Sequence, residues 1–389
     1  MNVLLVLIYI LTPALVIWLC SKYSFLDKIG PILLLYLIGI VLGNSGLLPD
    51  TAAKLQDVLV TIMIPIAIPL MLFSCSFRQL DFKNASLTLI TGIVAVIIVV
   101  IGGYFIFKPL IGEDPLIGNQ FHNIAGLLSG VYTGGTPNMA AIKIMLDVPN
   151  ETYIMVNSYD MAISLIYMIF LFVIGIKLFR KILHSTPAKE SVTIEDIPAE
   201  IKQESPYKDF FTKRNFIPLL GAIGLSVLIF AISGGLSLLL PKSVQTVVII
   251  LSITTLGIAA SFVKQVREIK MSYDAGMYLI YIFSIVVASM ADITRLNLTG
   301  GIYVLLYVIF IIFGSLVLQL IMARFLKLDA DTVVIASVAL INSAPFVPMV
   351  ATAMKNKSVI IPGITIGIIG YAIGNYVGYL ISKFLFLFG

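Results

Sequence analysis

Apolar side chains along this chain do not alternate with polar ones. They run in blocks of about 20 residues, each ended by charge or by glycine and proline, and blocks of that length predict helices that cross a membrane. In the first half the blocks cover 3–20, 29–48, 58–77, 87–107, 121–146 and 153–178. The second half repeats the count with 217–240, 244–263, 277–290 (approached by polar residues from 271), 302–321, 333–354 and 360–388. Two blocks in corresponding places are interrupted. One carries Gly134-Gly135-Thr136-Pro137-Asn138, the other Asn342-Ser343-Ala344-Pro345 with Pro348 close behind. Backbone that leaves helical geometry at membrane depth has unpaired N–H and C=O groups that hydrocarbon cannot satisfy, so such breaks survive where they line a cavity or meet a ligand.

Composition agrees with the pattern: 59% of the 389 residues are hydrophobic, 12% are charged, and the mean hydropathy is +1.07. The chain reads as an all-α polytopic membrane protein of about ten transmembrane helices plus two re-entrant or broken helical elements. The net charge of +5 is spread between apolar blocks, where topology explains it, and no nucleic-acid partner is expected. Cys20 and Cys75 lie in apolar context, and His122 and His184 are isolated, so no metal cluster is expected. The first block has no Lys or Arg before it and no small-residue cleavage site, and reads as a span rather than a leader.

Positive charge decides between two topologies. If both interrupted blocks are hairpins and the N-terminus is outside, the inside receives Lys22, Lys28, Arg78, Lys83, the basic stretch from Lys177 to Arg214, Lys264, Arg267, Lys270, Arg324, Lys327, Lys355 and Lys357. The outside receives the acidic loops around Asp50 and Asp57 and around Glu113 and Asp114. Were the first interrupted block a crossing, the long basic linker would fall outside, against the positive-inside bias. The hairpin reading leaves about five crossings per half, an odd number, as an inverted repeat requires. The expected organisation is a first repeat at 1–184 with its broken element at 121–146, a hydrophilic cytoplasmic linker at 185–213, and a second repeat at 214–389 with its broken element at 333–354. Both termini are expected outside.

The residues of the breaks suggest chemistry. Gly134 and Gly135 allow positive φ and close approach of backbone to a ligand, while Pro137 fixes φ and removes a donor. The half-helix beginning near Asn138 presents N–H groups and a positive dipole end, suited to a carboxylate. Carbonyls ending the preceding half, near Tyr132 and Thr133, suit Na⁺, and Thr133, Thr136 and Asp160 are the expected Na⁺ ligands. The second break offers Asn342, Ser343, Ala344 and Pro345. Asp160, which follows Asn157-Ser158-Tyr159 at the start of an apolar block, is an ionisable group at or near membrane depth, and such groups usually serve as ion ligands or proton carriers. Asn157 and Asn375 are candidate ligands through their amides. The Gly367, Gly370, Gly374 and Gly378 spacing puts small residues on one helix face for close packing. Lys143 and Asp147, four apart, neutralise each other near a rim. Pro65 and Pro69 bend a helix that would line a transport core.

The run from Ser129 to Ala141, together with Pro362-Gly363-Ile364 and the stretch from Gly367 to Tyr376, resembles the YjcL-like family of uncharacterised bacterial membrane proteins (domain of unknown function 819). That family is in turn distantly similar to sodium/glutamate symporters and sodium/citrate-type carriers. The resemblance covers essentially the whole chain. It implies two inverted repeats, an elevator-type architecture, a homodimer and the bacterial cytoplasmic (inner) membrane. It transfers no substrate, and Thr136-Pro137-Asn138 stand where the glutamate symporters tend to carry His-Gly-Thr. Neither a nucleotide-binding loop nor a metalloprotease or hydrolase motif occurs, so no enzyme activity and no cofactor is expected. The expected function is secondary transport of a small anionic organic solute coupled to Na⁺. A cation/proton antiporter using Asp160 and a channel stand as alternatives.

Overall fold

The computed structural model describes residues 2–23, 25–26, 30–49, 52–74, 84–111, 117–183, 212–290 and 298–388. Nearly all of the 185–213 linker lies outside these, as do Cys75 and His184 and, of the charges counted for topology, Lys28, Asp50, Arg78, Lys83, Glu113 and Asp114.

Every regular element among the described residues is helical. In the first half these are α1 (Asn2–Lys22), α2 (Pro31–Asn44), α3 (Ala52–Leu72), α4 (Asn84–Ile111), α5 (Phe121–Gly134), α6 (Thr136–Met145), α7 (Asn150–Phe170) and α8 (Ile176–Ile182). The second half holds α9 (Lys213–Ser237), α10 (Lys242–Ser261), the single turn α11 (Lys264–Arg267), α12 (Ser272–Ser289), α13 (Leu298–Phe325), α14 (Ala330–Ile341), α15 (Val347–Ala353) and α16 (Ile360–Phe386). Nine helical stretches among the described residues are long and apolar enough to cross a membrane, and two shorter apolar helices, Leu34–Asn44 and Ala330–Ile341, join them. The block at 29–48 is one of the short ones: Pro31 opens α2 at its first position, and the chain leaves the helix after Asn44. The longest runs from Asn150 to Ile182, because a π turn at Leu171–Gly175 joins α7 to α8 without a break.

The helices sort into two compact units that do not follow the two halves of the sequence. The first contains Met1–Ser74, Lys143–Ser158 and Glu204–Leu298; the second contains Cys75–Ile142, Tyr159–Gln203 and Thr299–Gly389. Each unit therefore draws on both halves of the chain, α1–α3 and α9–α12 falling in the first and α4, α5, α8 and α13–α16 in the second, while α6 and α7 are divided between them. In the first unit α12 packs on α2 and α3. Gly39 and Gly43 of α2 lie against the backbone of Ile285 and Ser289, where any larger side chain would collide. A buried polar network crosses its helices: Gln56 Nε2 donates to the Tyr9 and Ser289 hydroxyls at 2.8 and 2.9 Å. Pro65 and Pro69 sit buried in α3, and between them Ser226 Oγ donates to the Ile66 carbonyl at 2.7 Å. In the second unit α5 packs along α16, and α14 packs on α4 and α16.

Both interrupted blocks fold back on themselves. Had α5 and α6 formed one straight helix, Gly130 and Ile142 would stand roughly 18 Å apart. Instead the Ile142 side chain lies against Gly130 Cα. In the second, Asn356 Nδ2 donates to Asp331 Oδ2 at 2.8 Å, bringing together residues that a continuous helix would separate by roughly 37 Å. Each is a hairpin of two half-helices.

Candidate functional site

The two hairpin tips share a backbone geometry that their sequences do not advertise. α5 ends at Gly135, with φ 80° and ψ −176°, and α14 gives way at Ser343, with φ 88° and ψ 159°. Only glycine adopts this region readily, so Ser343 holds a strained conformation. In each tip a proline follows two residues later, Pro137 and Pro345. Positive φ then recurs at Asp147 and Lys355, so that both pairs of positions are 208 apart (343 less 135, 355 less 147). The hydrogen bonds follow the same offset. Asn138 N donates to Gly135 O as Phe346 N does to Ser343 O, and Val148 N to Lys143 O as Asn356 N does to Ala351 O. The two hairpins are one backbone design written in two sequences.

The tips meet within the second unit. A Cβ added at Gly135 would lie 2.5 Å from Ser343 Oγ, so the two residues of equivalent conformation touch one another. The glycine face of α16 is the platform for both: Gly367 lies against Ala344, Gly370 against the Thr133 carbonyl, and Gly374 against the Asn138 amide and Thr133 Oγ1. The small-residue spacing read from the sequence thus serves close packing, and it brings both breaks to one helix. Thr133 is turned inward, donating from Oγ1 to Ser129 O at 2.7 Å, and Asn138 Nδ2 donates to the Tyr371 carbonyl at 2.9 Å. Pro137 is buried and Thr136 partly so. Asn375 is buried next to Gly374.

Asp160 belongs to this neighbourhood. It is 4% exposed, and among the described residues no basic side chain forms an ion pair with it. Ser164, one turn later on α7, donates from Oγ to Asp160 Oδ1 at 3.3 Å. The Ser164 carbonyl in turn accepts from Asn342 Nδ2 at 3.4 Å, which ties the second break to the same turn of α7. Tyr132, fully buried in the last turn of α5, sets its hydroxyl beside the Asp160 carboxyl, though without closing a regular hydrogen bond. Asn342 Oδ1 is likewise buried and, among the described residues, accepts no hydrogen bond. The arrangement is a closed polar cluster with more acceptor oxygens than donors, the chemistry of a cation site or of a proton carrier.

Asn157 is not part of it. The structure groups Asn157 with Tyr36 and Tyr153 in the first unit, where its amide donates to the Tyr36 hydroxyl. One turn of helix separates Asn157 from Asp160 in sequence, yet the boundary between the units falls between them. Lys143 is buried near Asp57, Asp147 and Glu151 of the first unit. Sequence reasoning passed over Tyr132 as a side chain, Ser164 and Arg180. Ser164 had a signal, its i+4 spacing from Asp160. Arg180 had none: it reaches Asp331 across 151 residues with two bonds of 2.7 and 2.8 Å, and also donates to the Met354 carbonyl, closing the base of the second hairpin. The residue at the matching position of the first hairpin is Asn123, whose Oδ1 accepts from Ser382 Oγ at 2.8 Å.

The profile of a family described as "Protein of unknown function (DUF819)" matches residues 7–388. An "Uncharacterized membrane protein YjcL" from Bacillus subtilis (strain 168) is 26% identical over 348 residues, covering 87% of this chain and 85% of that relative.

Proposed function

This chain belongs to the DUF819 family, and from that premise we propose that it is a secondary transporter that couples movement of a small anionic organic solute to Na⁺. One observation carries the reading. Two backbone breaks of the same design meet in a single unit beside a buried carboxylate that no basic side chain among the described residues pairs with, in a chain whose helices are long and apolar enough to span a bilayer. The N-terminus of α6, opened at Thr136 by the glycine pair, is placed at the meeting point and suits the anionic group of the solute.

An elevator mechanism fits the way the site is held. All the candidate residues except Asn157 belong to the second unit, so one bundle carries the whole site, and a body that carries its site intact can move as a unit. The first unit is then the bundle that forms the homodimer. Its α9 presents Leu228, Ile232 and Leu236 outward, fitting contact with lipid or with a second copy. The common backbone of the hairpins supports two repeats, and the distribution of Lys and Arg among the loops supports inverted ones in a bacterial inner membrane. Asp160 gives antiport a specific footing, because a buried carboxyl that pairs with no basic side chain among the described residues can carry H⁺ as readily as ligate Na⁺.

The test is a thermal-stability screen of the purified protein against metabolite anions with and without Na⁺, followed by uptake of any stabilising solute into proteoliposomes. An inward Na⁺ gradient is expected to drive uptake. Conductance of ions in planar bilayers without solute dependence would replace the carrier with a channel.

A further inference from the structure

We propose that a Na⁺ ion binds between Asp160, Ser164, Tyr132 and Asn342, with the Asp160 carboxylate and Asn342 Oδ1 as its side-chain ligands. This rests on the transport reading and names its coupling-ion site. It differs from the set of Thr133, Thr136 and Asp160 expected from the sequence, because Thr133 Oγ1 is already committed to the Ser129 and Gly130 carbonyls.

Three independent features converge there. The first is oxygen left over. Among the described residues Asp160 has one regular hydrogen-bond donor for four lone-pair sites, and the Asn342 Oδ1 and Tyr132 hydroxyl oxygens are buried without a regular hydrogen bond. Leaving buried oxygens unmatched is expensive, and a hard cation is what satisfies several at once. The second is field. Tyr132 is in the last turn of α5 and Asn342 caps the end of α14, so two helix C-termini add their negative poles to the carboxylate. Among the described residues no basic side chain pairs with Asp160 to answer that charge. The third is placement. Asn342 is anchored through Nδ2 to the Ser164 carbonyl, which turns Oδ1 away from that bond, and its neighbour Ser343 holds the strained conformation of the second tip. An ion here would tie the second hairpin to α7, and its loss would free that hairpin. This supplies a physical link between ion occupancy and movement of the tip.

The experiment is Na⁺ binding to the purified full-length protein, read as Na⁺-dependent thermal stabilisation and as direct binding of radioactive Na⁺, alongside Na⁺-driven uptake in proteoliposomes. Wild type is expected to be stabilised by Na⁺ and not by K⁺. Asp160→Asn should abolish the effect, and Asn342→Ala should weaken Na⁺ binding about tenfold or more. Tyr132→Phe should weaken it less, and Thr254→Ala in the first unit should leave it unchanged. Asn342→Asp, which keeps an oxygen at the site, should bind Na⁺ even if Asn342→Ala is too unstable to purify. Wild-type Na⁺ affinity in a monodisperse Asp160→Asn or Asn342→Ala protein would overturn the site, while Na⁺-driven uptake by that same variant would leave the transport reading standing. Loss of binding as expected, in a protein that moves no solute, would keep the site and remove the transport reading. Uptake driven by a pH gradient, insensitive to Na⁺ and lost in Asp160→Asn, would also overturn the Na⁺ site and make Asp160 a proton carrier.

Discussion

The first and second hairpins do the same thing to the backbone with different residues. Gly135 adopts its conformation freely, and its tip is sealed by Asn138 on the Tyr371 carbonyl. Ser343 adopts nearly the same conformation under strain, and its tip leaves Asn342 Oδ1 buried and unmatched. The bases differ in the same direction: a neutral Ser382–Asn123 hydrogen bond at one, an Arg180–Asp331 ion pair reinforced by Asn356 and Met354 at the other. The difference teaches that the hairpin most visible in sequence is the relaxed one. The one that holds strain and unsatisfied oxygen is the candidate switch, kept in place by a stronger clamp at its base.

Substitutions can break or sharpen that contrast. The largest effect is expected at the second base. Arg180→Ala leaves the buried Asp331 carboxylate without its cation and, because the Arg180 side chain is itself 36% exposed and partly screened by solvent, should destabilise the protein by about 2–3 kcal/mol in denaturant or thermal unfolding in detergent. Proteolysis within 330–356 should rise with it, and unchanged protection there would show that the clamp is not what closes this hairpin. At the tips the two positions of equivalent conformation should respond with opposite signs. Gly135→Ala puts a Cβ into a glycine-only conformation and against Ser343 Oγ, and should cost roughly 1–3 kcal/mol. Ser343→Gly relieves strain and should raise the melting temperature, by a gain of about 1 kcal/mol. If both substitutions destabilise equally, the asymmetry of strain is wrong. The smallest change is expected at the first base, where Ser382→Ala removes one neutral hydrogen bond and should cost about 1 kcal/mol. A loss there as large as that of Arg180→Ala would erase the difference between the clamps.

Much of this molecule was legible residue by residue. Runs of apolar side chains fixed where helices cross, and Gly-Gly-Thr-Pro marked the first break, because both signals depend on a residue's own chemistry and its near neighbours. The fold-back of each interrupted block was anticipated from charge, through a bias that acts on loops rather than on contacts. Ser343 was named as a candidate, but nothing in a serine announces positive φ. That conformation is imposed by the packing around it, so its equivalence to Gly135 emerged only from the backbone.

By itself, then, the sequence determined a helical membrane protein with two broken elements in matching places, since hydrocarbon tolerates few other ways of arranging such a chain. Tertiary structure alone decided that the compact units interleave the two halves, that Asn157 and Asp160 part company within one helix, and that Tyr132, Asp160, Ser164 and Asn342 gather around the second tip. Those neighbours lie as much as 210 residues apart (342 less 132). Their meeting follows from the glycine face of α16 admitting both breaks at contact distance, a fact of helix packing that no local pattern encodes.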